Sequence, residues 1–354
     1  MGSRTLVYPQ SSFRDWQRRN HDDSMNTHPT IDQSITYTGP QADFASLTGS
    51  PFWGFGVAEV IRRFTTAGWQ LHQSERLPTP YGPSPLVNHF THPNGRSILW
   101  IPSYGEVVGE DSLYHLNFEK VFWVLWQAGI KVMMVGGTSG IADWRQGEAA
   151  IRPGDVVLPW SFRTRPVHRG LPGTAFESMW SKCHFLLDDP FCPALAALLA
   201  EKFAPFVTAG QLRGVRTPQD TRVALVVPDS ITFETEYDIL QNLAISKVAS
   251  DLQPERPPVA TLHGDCLNPL LARYLGIHVL YYHMVSNYAR GLLPGEKTAS
   301  DLHHLYTKVF PEIAMTVELD ILANAPIPPS VACHCTTSLY PAPPVFSQTL
   351  TQPQ

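Results

Sequence analysis

Three side chains lie where the sequence could place a general base. Asp229 and Glu234 belong to one polar segment predicted to be a loop, and His263 lies in a second predicted loop. A general base needs a pKa near the working pH and must reach the proton that it removes. A histidine is more often a hydrogen-bonded structural residue than a base, and Glu234 could instead cap the helix that follows it. Both interpretations stay open for these residues.

Metal chemistry is suggested at one place only, the Cys333-His334-Cys335 segment. The five cysteines of the chain are widely spaced and odd in number, which favours reduced thiols in a cytoplasmic protein over a disulfide framework. A metal site needs further ligands, and no second ligand pair is visible nearby in the sequence. We therefore predict no metal and no cofactor, with these cysteines as bystanders in a proline-rich tail.

Composition excludes several classes of partner. The net charge of -5 and the pI of about 6.3 give no basic face for nucleic acid or an anionic membrane. The sequence has no run of eighteen apolar residues and no charged-then-apolar start, so neither a membrane span nor a secretory signal is predicted. A small-molecule substrate is the partner that remains.

Predicted strands and helices alternate along the chain. This order predicts a single α/β domain with a mixed, twisted sheet flanked by helices, and these elements would position the candidate residues. Residues 1–40 are predicted to be a polar extension, 41–324 the domain, and 325–354 a proline-rich tail. Strands are predicted at 43–47, 97–101, 131–135, 155–158, 222–227 and 278–285, and helices at 57–67, 117–128, 192–203, 235–243, 269–275 and 302–322. Ligands of such sheets bind at the carboxyl ends of strands, which draws attention to the loops at 48–56, 102–105, 136–140, 229–236 and 286–288.

Six segments in this order resemble motifs of purine nucleoside phosphorylases and methylthioadenosine phosphorylases, over about residues 44–324. Any one of them would be weak evidence, but their shared order is strong evidence for the fold. The matching segments are Leu47-Thr48-Gly49-Ser50, Thr79-Pro80-Tyr81-Gly82, Arg152-Pro153-Gly154-Asp155, Asp189-Pro190-Phe191-Cys192-Pro193, Thr232-Phe233-Glu234-Thr235, and the run from Leu271-Ala272-Arg273 to Ser286-Asn287-Tyr288.

The resemblance implies a phosphorylase-like α/β fold, a homotrimer with the active site near a subunit interface, and a substrate pocket built from the strand-end loops. It implies that Ser50 belongs to the phosphate loop and that Phe233, Glu234 and Asn287 contact the purine base. Asn287 could instead satisfy the end of its own strand. Further substrate-binding candidates in the same loops are Thr138, Thr232, His263 and Tyr288.

The phosphate site departs from the family pattern. The segment Ile101-Pro102-Ser103-Tyr104-Gly105 stands where the family has arginine and histidine, and a tyrosine hydroxyl cannot supply the missing positive charge. His263 and Gly264 align with the family's methionine and phosphate-binding hydroxyl. Either Arg96 or Arg145 could reach in as a replacement clamp. We predict instead that ordinary phosphorolysis has been lost.

Aromatic residues surround the vacated site, because Tyr104, Trp53 and Phe55 all lie in its loops. Trp53 and Phe55 could equally pack beneath the first helix. We predict catalytic roles for Tyr104, Asn287 and Glu234, in a pocket that shapes an apolar ligand with a few hydrogen bonds.

Three functions follow from this pattern. The favoured one is cyclisation of an apolar natural-product intermediate, such as an intramolecular Diels–Alder reaction, which needs a pocket that holds a reactive conformer but needs no phosphate clamp. The alternative is cleavage of an N-glycosidic bond by phosphorolysis or hydrolysis. The third is a non-catalytic ligand-binding or storage protein.

Overall fold

One mixed sheet organises the part of the chain that the computed structural model describes, namely residues 35–102, 118–163, 187, 189–226, 235–264, 267–289 and 303–336. In these residues the sheet has eleven strands. They are β1 Phe44–Ser46, β2 Gln70–Arg76, β3 Leu86–Thr91, β4 Ser97–Trp100, β5 Val132–Ala142, β6 Asp155–Val157, β7 Ser161–Phe162, β8 Gly214–Arg216, β9 Arg222–Val226, β10 Val259–His263 and β11 His278–Tyr288.

The two long strands β5 and β11 form the centre of this sheet. The strand order is β2-β3-β4-β1-β5-β10-β9-β7, while β11 pairs with β5 and β6, and β6 also pairs with β8. β11 runs parallel to β5 along most of its length, whereas β10 meets the far end of β5 in antiparallel orientation. The predicted mixed sheet is therefore confirmed.

Helices cover the sheet on both faces. The helices are α1 Val57–Thr66, α2 Phe118–Gln127, α3 Pro193–Thr208, α4 Glu236–Asp251, α5 Leu267–Tyr274 and α6 Phe310–Asn324. One face carries a core that includes Phe122 and Leu271, and we call it the α2 face. The other carries a core that includes Phe64, Leu199 and Ile313, and we call it the α6 face.

Local sequence explains where several helices begin. Thr235 caps α4 by accepting from the backbone N–H of Asp238, whose carboxylate accepts in return from the N–H of Thr235. The capping role considered for Glu234 is thus taken by the next residue. α3 begins at Pro193, a position that suits proline because its missing N–H would have no partner in the helix. Both helices run further than the sequence pattern predicted.

The small-residue segment 136–140 is a strand, so its prediction as a loop was wrong. β5 continues through it to Ala142, and β11 pairs with it as far as Ile141. The reason is tertiary. A Cβ on Gly136 would overlap the Tyr282 side chain, and a Cβ on Gly137 would overlap the imidazole of His283. Because these two glycines of β5 have no side chain, the side chains of Tyr282 and His283 on the neighbouring strand β11 can pack against them.

Replacing one of these glycines tests that explanation. We expect Gly137→Ala to lower the free energy of unfolding by about 2 kcal/mol, because His283 is buried and cannot swing away from the added methyl group. Urea unfolding would measure the change. Gly56→Ala is the comparison variant: its added Cβ meets nothing within 4 Å, and because Gly56 caps α1 we expect only a smaller loss, below about 1 kcal/mol. Equal stability of the two variants would contradict the packing argument.

β11 likewise extends beyond its predicted end, through Ser286 and Asn287 to Tyr288. Its register against β5 shifts after Val285, so that Val285 lies opposite Ser139 and Asn287 lies opposite Gly140. Ser286 is the extra residue of this β-bulge. Because a bulge redirects the side chains that follow it, this irregularity decides which way Asn287 and Tyr288 face.

Packing also continues past residue 324, where the domain was predicted to end. Ala325, Cys333 and Cys335 are buried in the core of the α6 face. The start of this segment is held by hydrogen bonds from Arg96 to the carbonyl of Ala325 and from Asn94 to the carbonyl of Ala323. In the described residues, no helix has the length and apolar character that a membrane crossing requires.

Candidate functional site

The loop after β1 is fixed to the carboxyl-terminal half of β5. The backbone N–H of Gly49 donates to the carbonyl of Gly136, and a single helical turn follows at Ser50–Phe52, with Pro51 as its second residue. In that turn the Ser50 hydroxyl oxygen accepts the N–H of Thr138 at 2.8 Å. Ser50 is 5% exposed. The hydroxyl predicted to contact phosphate therefore holds the loop against β5 by accepting this N–H.

Aromatic side chains cover this loop. The rings of Trp53 and Tyr306 lie 5.6 Å apart between centroids, and Tyr306 in turn packs edge-on against Phe310. Gly54 permits the contact, because a Cβ there would lie 2.7 Å from the Cα of Thr307. Trp53 remains 36% exposed. A partly open aromatic surface thus lies beside Ser50.

Phe55 points elsewhere. Its ring packs near Phe52 and lies under the guanidinium of Arg63, 4.4 Å from the ring centroid. This contact with α1 matches the packing alternative that the sequence left open for Phe55, and its predicted role in ligand binding stays a prediction.

Asn287 is joined to the aromatic surface through a serine. The Ser286 hydroxyl donates to Asn287 Oδ1 at 2.6 Å and lies 3.1 Å from the hydroxyl of Tyr306. Asn287 Nδ2 donates to the carbonyl of Tyr288 at 2.7 Å, and a Cβ on Gly140 would lie 2.9 Å from it. The bulge therefore brings Asn287 to the same end of the sheet as Ser50 and Trp53, in a hydrogen-bonded chain.

Thr138 shares that end of the sheet. It lies two residues before Gly140, so alternation along β5 places both on one face. The Thr138 hydroxyl is buried and has no hydrogen-bond partner in the described part of the chain. An unpartnered buried hydroxyl is costly, and it is the kind of group that a ligand could satisfy.

Tyr288 lies apart from that group, because it packs against the core of the α2 face, whereas Phe52 of the loop after β1 (residues 47–56, the serine loop) packs in the core of the α6 face. His263, in contrast, ends β10, where the pairing of Leu262 with Ile141 places it beside Gly140, the residue of β5 opposite Asn287. Burial, with a smaller contribution from His263, lowers the pKa of His283 to about 3, so His283 is neutral at pH 7 and bonds to Ser139 at 2.9 Å. His283 thus makes a structural contact within the sheet.

A buried acid that the sequence did not suggest holds the start of the serine loop. Glu318 of α6 accepts hydrogen bonds from Ser46, Thr48 and Tyr282. Burial raises the pKa of Glu318 to about 7 although all three donors act to lower it. The signal that could have revealed it is the helical spacing of Glu318 from Ala314, Ile321 and Leu322, which places a glutamate on the apolar face of α6.

The remaining predicted site residues, Tyr104, Thr232, Phe233 and Glu234, lie outside the described residues. The two arginines considered as replacement clamps are engaged elsewhere. Arg96 lies over the ring of Phe44 and donates to the carbonyl of Ala325, while Nε and Nη2 of Arg145 donate to the two carboxylate oxygens of Asp143 at 2.9 and 2.6 Å. These contacts favour the loss of the phosphate clamp over its replacement by Arg96 or Arg145.

Side chains able to hold a metal come together far from this site. Within the described residues they are Cys192, His278, Cys333 and Cys335. His278 is the first residue of β11, whereas Asn287 lies near its other end. The sequence showed the last two cysteines, but not that the fold brings a third cysteine and a histidine to them.

The fold is similar to solved structures of methylthioadenosine phosphorylases. One, sourced from an antarctic soil metagenomic library, has a TM-score of 0.60 and 16% identity, over 87% of this chain and 95% of that chain. Another, from Schistosoma mansoni in complex with adenine, has a TM-score of 0.58 and 13% identity, over 79% and 91%. No protein-family model matches the sequence, and no curated protein matches it significantly. The predicted nucleoside phosphorylase-like fold is confirmed.

Proposed function

We propose that this chain is a non-phosphorolytic enzyme that binds a largely apolar small molecule and promotes its intramolecular cyclisation. One observation carries the proposal. The loop after β1, which the resemblance assigns to phosphate binding, lies beside the Trp53–Tyr306 aromatic pair. Hydrogen bonds through Ser286 join this pair to Asn287. Such a surface favours an apolar ligand with a few polar groups over a doubly charged anion, which needs a cation to offset its lost hydration.

The chemistry that suits this surface is a pericyclic ring closure, as in an intramolecular Diels–Alder reaction. Two carbon–carbon σ bonds form from π electrons of a diene and a dienophile in one molecule, with no proton or electron passing to the protein. Holding the reactive conformer can supply several kcal/mol, about 7–11 kcal/mol at the extreme. Hydrogen bonds from Asn287 Nδ2 or the Ser50 hydroxyl to a carbonyl on the dienophile would add to this. We assign Tyr104 and Glu234 to the same pocket.

The second candidate is cleavage of an N-glycosidic bond, favoured by the fold shared with methylthioadenosine phosphorylases. Phosphorolysis needs a charged clamp, and hydrolysis needs a base that activates water. The lowered pKa of His283, about 3, makes it a weak base, and it is already bonded to Ser139, so it does not suit that role. His263, Asp229 and Glu234 are the groups that this candidate requires.

Nucleoside assays separate these candidates. Inosine, adenosine and methylthioadenosine would be incubated with the protein, with and without phosphate, and free base would be measured. We expect no release above the enzyme-free rate, and release at an enzymatic rate would refute the proposal. In parallel, disrupting the gene in its host should cause an uncyclised precursor to accumulate. Tight binding of that precursor without turnover would instead identify a binding protein.

Substituting Asn287 tests the pocket directly. With the accumulated precursor as substrate, we expect Asn287→Ala to lower kcat about tenfold with little change in KM, the effect of losing one hydrogen bond that strengthens in the transition state. Asn324→Ala, in an exposed asparagine at the end of α6, is the matched control and should leave both constants unchanged. Unchanged kcat in Asn287→Ala would mean that the pocket is elsewhere.

The homotrimer implied by the resemblance and the cytoplasmic location stay predictions. Light scattering coupled to size-exclusion chromatography would measure the first, since a trimer of a 39.4 kDa chain differs clearly in mass from a monomer or dimer.

A further inference from the structure

The segment after α6 brings two cysteines onto the sheet. Cys333 and Cys335 lie against Cys192, which immediately precedes α3, and His278, which begins β11. One potential ligand atom from each residue lies within 4.8 Å of all the others, and all four residues are buried. Three thiols and an imidazole, distant in sequence, thus surround one small volume.

Their separations match those of ligands around a tetrahedral metal. Cys192 Sγ and Cys333 Sγ are 3.8 Å apart, and His278 Nδ1 lies 3.5 Å from Cys192 Sγ and 3.3 Å from Cys333 Sγ. A zinc ion with bonds of about 2.3 Å to sulfur and about 2.0 Å to nitrogen separates two sulfurs by about 3.8 Å, and a sulfur from a nitrogen by about 3.5 Å. The most widely separated ligand atoms lie no more than 4.8 Å apart, so shifts of about 1 Å would bring them to the separation of two zinc-bound sulfurs.

Disulfide bonding does not explain this arrangement. Two bonded sulfurs lie about 2.05 Å apart, whereas Cys192 and Cys333 are separated by 3.8 Å and all three cysteines are free. An apolar core accounts for buried thiols by themselves, but here the imidazole nitrogen Nδ1 of His278 also lies within 3.5 Å of two of the sulfurs.

The surroundings suit a thiolate cluster. Cys192 lies at the amino end of the sixteen-residue helix α3, where the helix dipole stabilises negative charge. Arg273 donates to the carbonyl of His334 at 2.9 Å, and its charge acts on the Cys335 thiol. A divalent ion with three thiolates and one neutral imidazole carries a net charge of −1, which the Arg273 guanidinium offsets.

We propose that Cys192, His278, Cys333 and Cys335 bind one zinc ion, which fastens residues 325–336 to the sheet. The three thiols lose their protons to solvent as three thiolate–zinc bonds form, and His278 binds neutral through Nδ1. Sulfur-rich tetrahedral sets favour zinc among the common divalent metals. All four coordination positions come from the protein, as in structural rather than catalytic zinc sites.

The position of the cluster supports a structural role. His278 and Asn287 are nine residues apart on one strand, a distance of about 30 Å in an extended chain. The zinc site thus belongs to the opposite end of the sheet from the candidate pocket, and it stands or falls independently of the proposed function.

Metal analysis of the full-length protein, purified under reducing conditions without chelators, tests the proposal. We expect about one zinc per chain, and after exchange into cobalt(II) the visible bands of a tetrahedral thiolate complex. Chelation should lower the thermal midpoint. These measurements need no variant, so they remain decisive if the substituted proteins fail to fold.

Substitutions then locate the ion. Cys192→Ser and Cys335→Ser should lose the zinc, whereas His334→Ala should keep it, because Arg273 contacts only the backbone carbonyl of His334. Chelation should shift the thermal midpoint of His334→Ala but not that of Cys335→Ser. The proposal is overturned if the reduced native protein neither contains zinc nor takes up zinc or cobalt. Zinc retained by both serine variants, or a disulfide among the three cysteines detected by mass spectrometry, would overturn it equally.

Discussion

Glu318→Ala is expected to lower the free energy of unfolding by about 4 kcal/mol, the largest stability loss from any single substitution proposed for this protein. The carboxylate is fully buried and accepts hydrogen bonds from Ser46, Thr48 and Tyr282. Its removal leaves a cavity and three buried hydroxyls without their acceptor. Urea unfolding would measure the loss, and an unchanged denaturant slope would show that the native fold is retained.

Glu312→Ala is the matched control, six residues earlier on the same helix. Glu312 pairs with Arg63 at 2.5 Å, but its side chain is 54% exposed. Because solvent screens an exposed ion pair, we expect the loss to stay below about 1 kcal/mol. If the two alanine variants were equally stable, Glu318 would not be the anchor of the serine loop.

The same carboxyl group predicts a pH dependence of stability. Burial raises the pKa of Glu318 from 4.5 to about 7, so the folded state holds this proton where the unfolded state has released it. The stabilisation is complete below pH about 4.5 and is lost as the pH rises through about 7. A pKa difference of this size corresponds to about 3 kcal/mol.

Glu318→Gln isolates this contribution, because its side chain stays neutral at every pH. The stability difference between the native protein and Glu318→Gln should fall by about 3 kcal/mol as the pH rises from about 4 to about 8. His283 acts in the opposite sense, since its lowered pKa destabilises the fold as the pH falls, but it is present in both proteins and cancels. A flat difference curve would show that Glu318 titrates normally.

Both effects bear on the proposed function, because Glu318 supports the loop that carries Ser50 and Trp53. Thr48 lies two residues before Ser50, and its hydroxyl donates a hydrogen bond to Glu318. The loop is therefore held by buried hydrogen bonds to Glu318 and not by a charged group inside the pocket. That arrangement suits a site that holds an apolar conformer by shape, for which loose positioning would be costly.

Much of the fold could be predicted from the sequence. The alternation of elements predicted a mixed α/β sheet, and segments such as Arg152-Pro153-Gly154-Asp155 predicted its resemblance to phosphorylases. The local pattern works where neighbouring residues decide the outcome, as in the cap at Thr235. It failed at Gly136–Gly140, where small residues normally indicate a loop but here make room for Tyr282 and His283.

The candidate site was predicted in part. Ser50, Trp53, Thr138 and Asn287 were proposed from the sequence, and the structure brings them to one end of the sheet, whereas Tyr288 faces the opposite core. Tyr306 was not foreseen, because it follows the motif segments and reaches Trp53 only through tertiary packing. Tyr104 and Glu234 remain predictions of the sequence alone.

By itself, then, the sequence determined the fold class and the absence of the expected arginine and histidine at Ile101–Gly105, because both depend on which residues follow one another. Only the tertiary structure decided the direction of Asn287, the burial of Glu318 and the meeting of Cys192, His278, Cys333 and Cys335. These outcomes depend on a one-residue bulge and on contacts across the chain. Their residues are far apart in sequence, so no local pattern of spacing or polarity records that they touch.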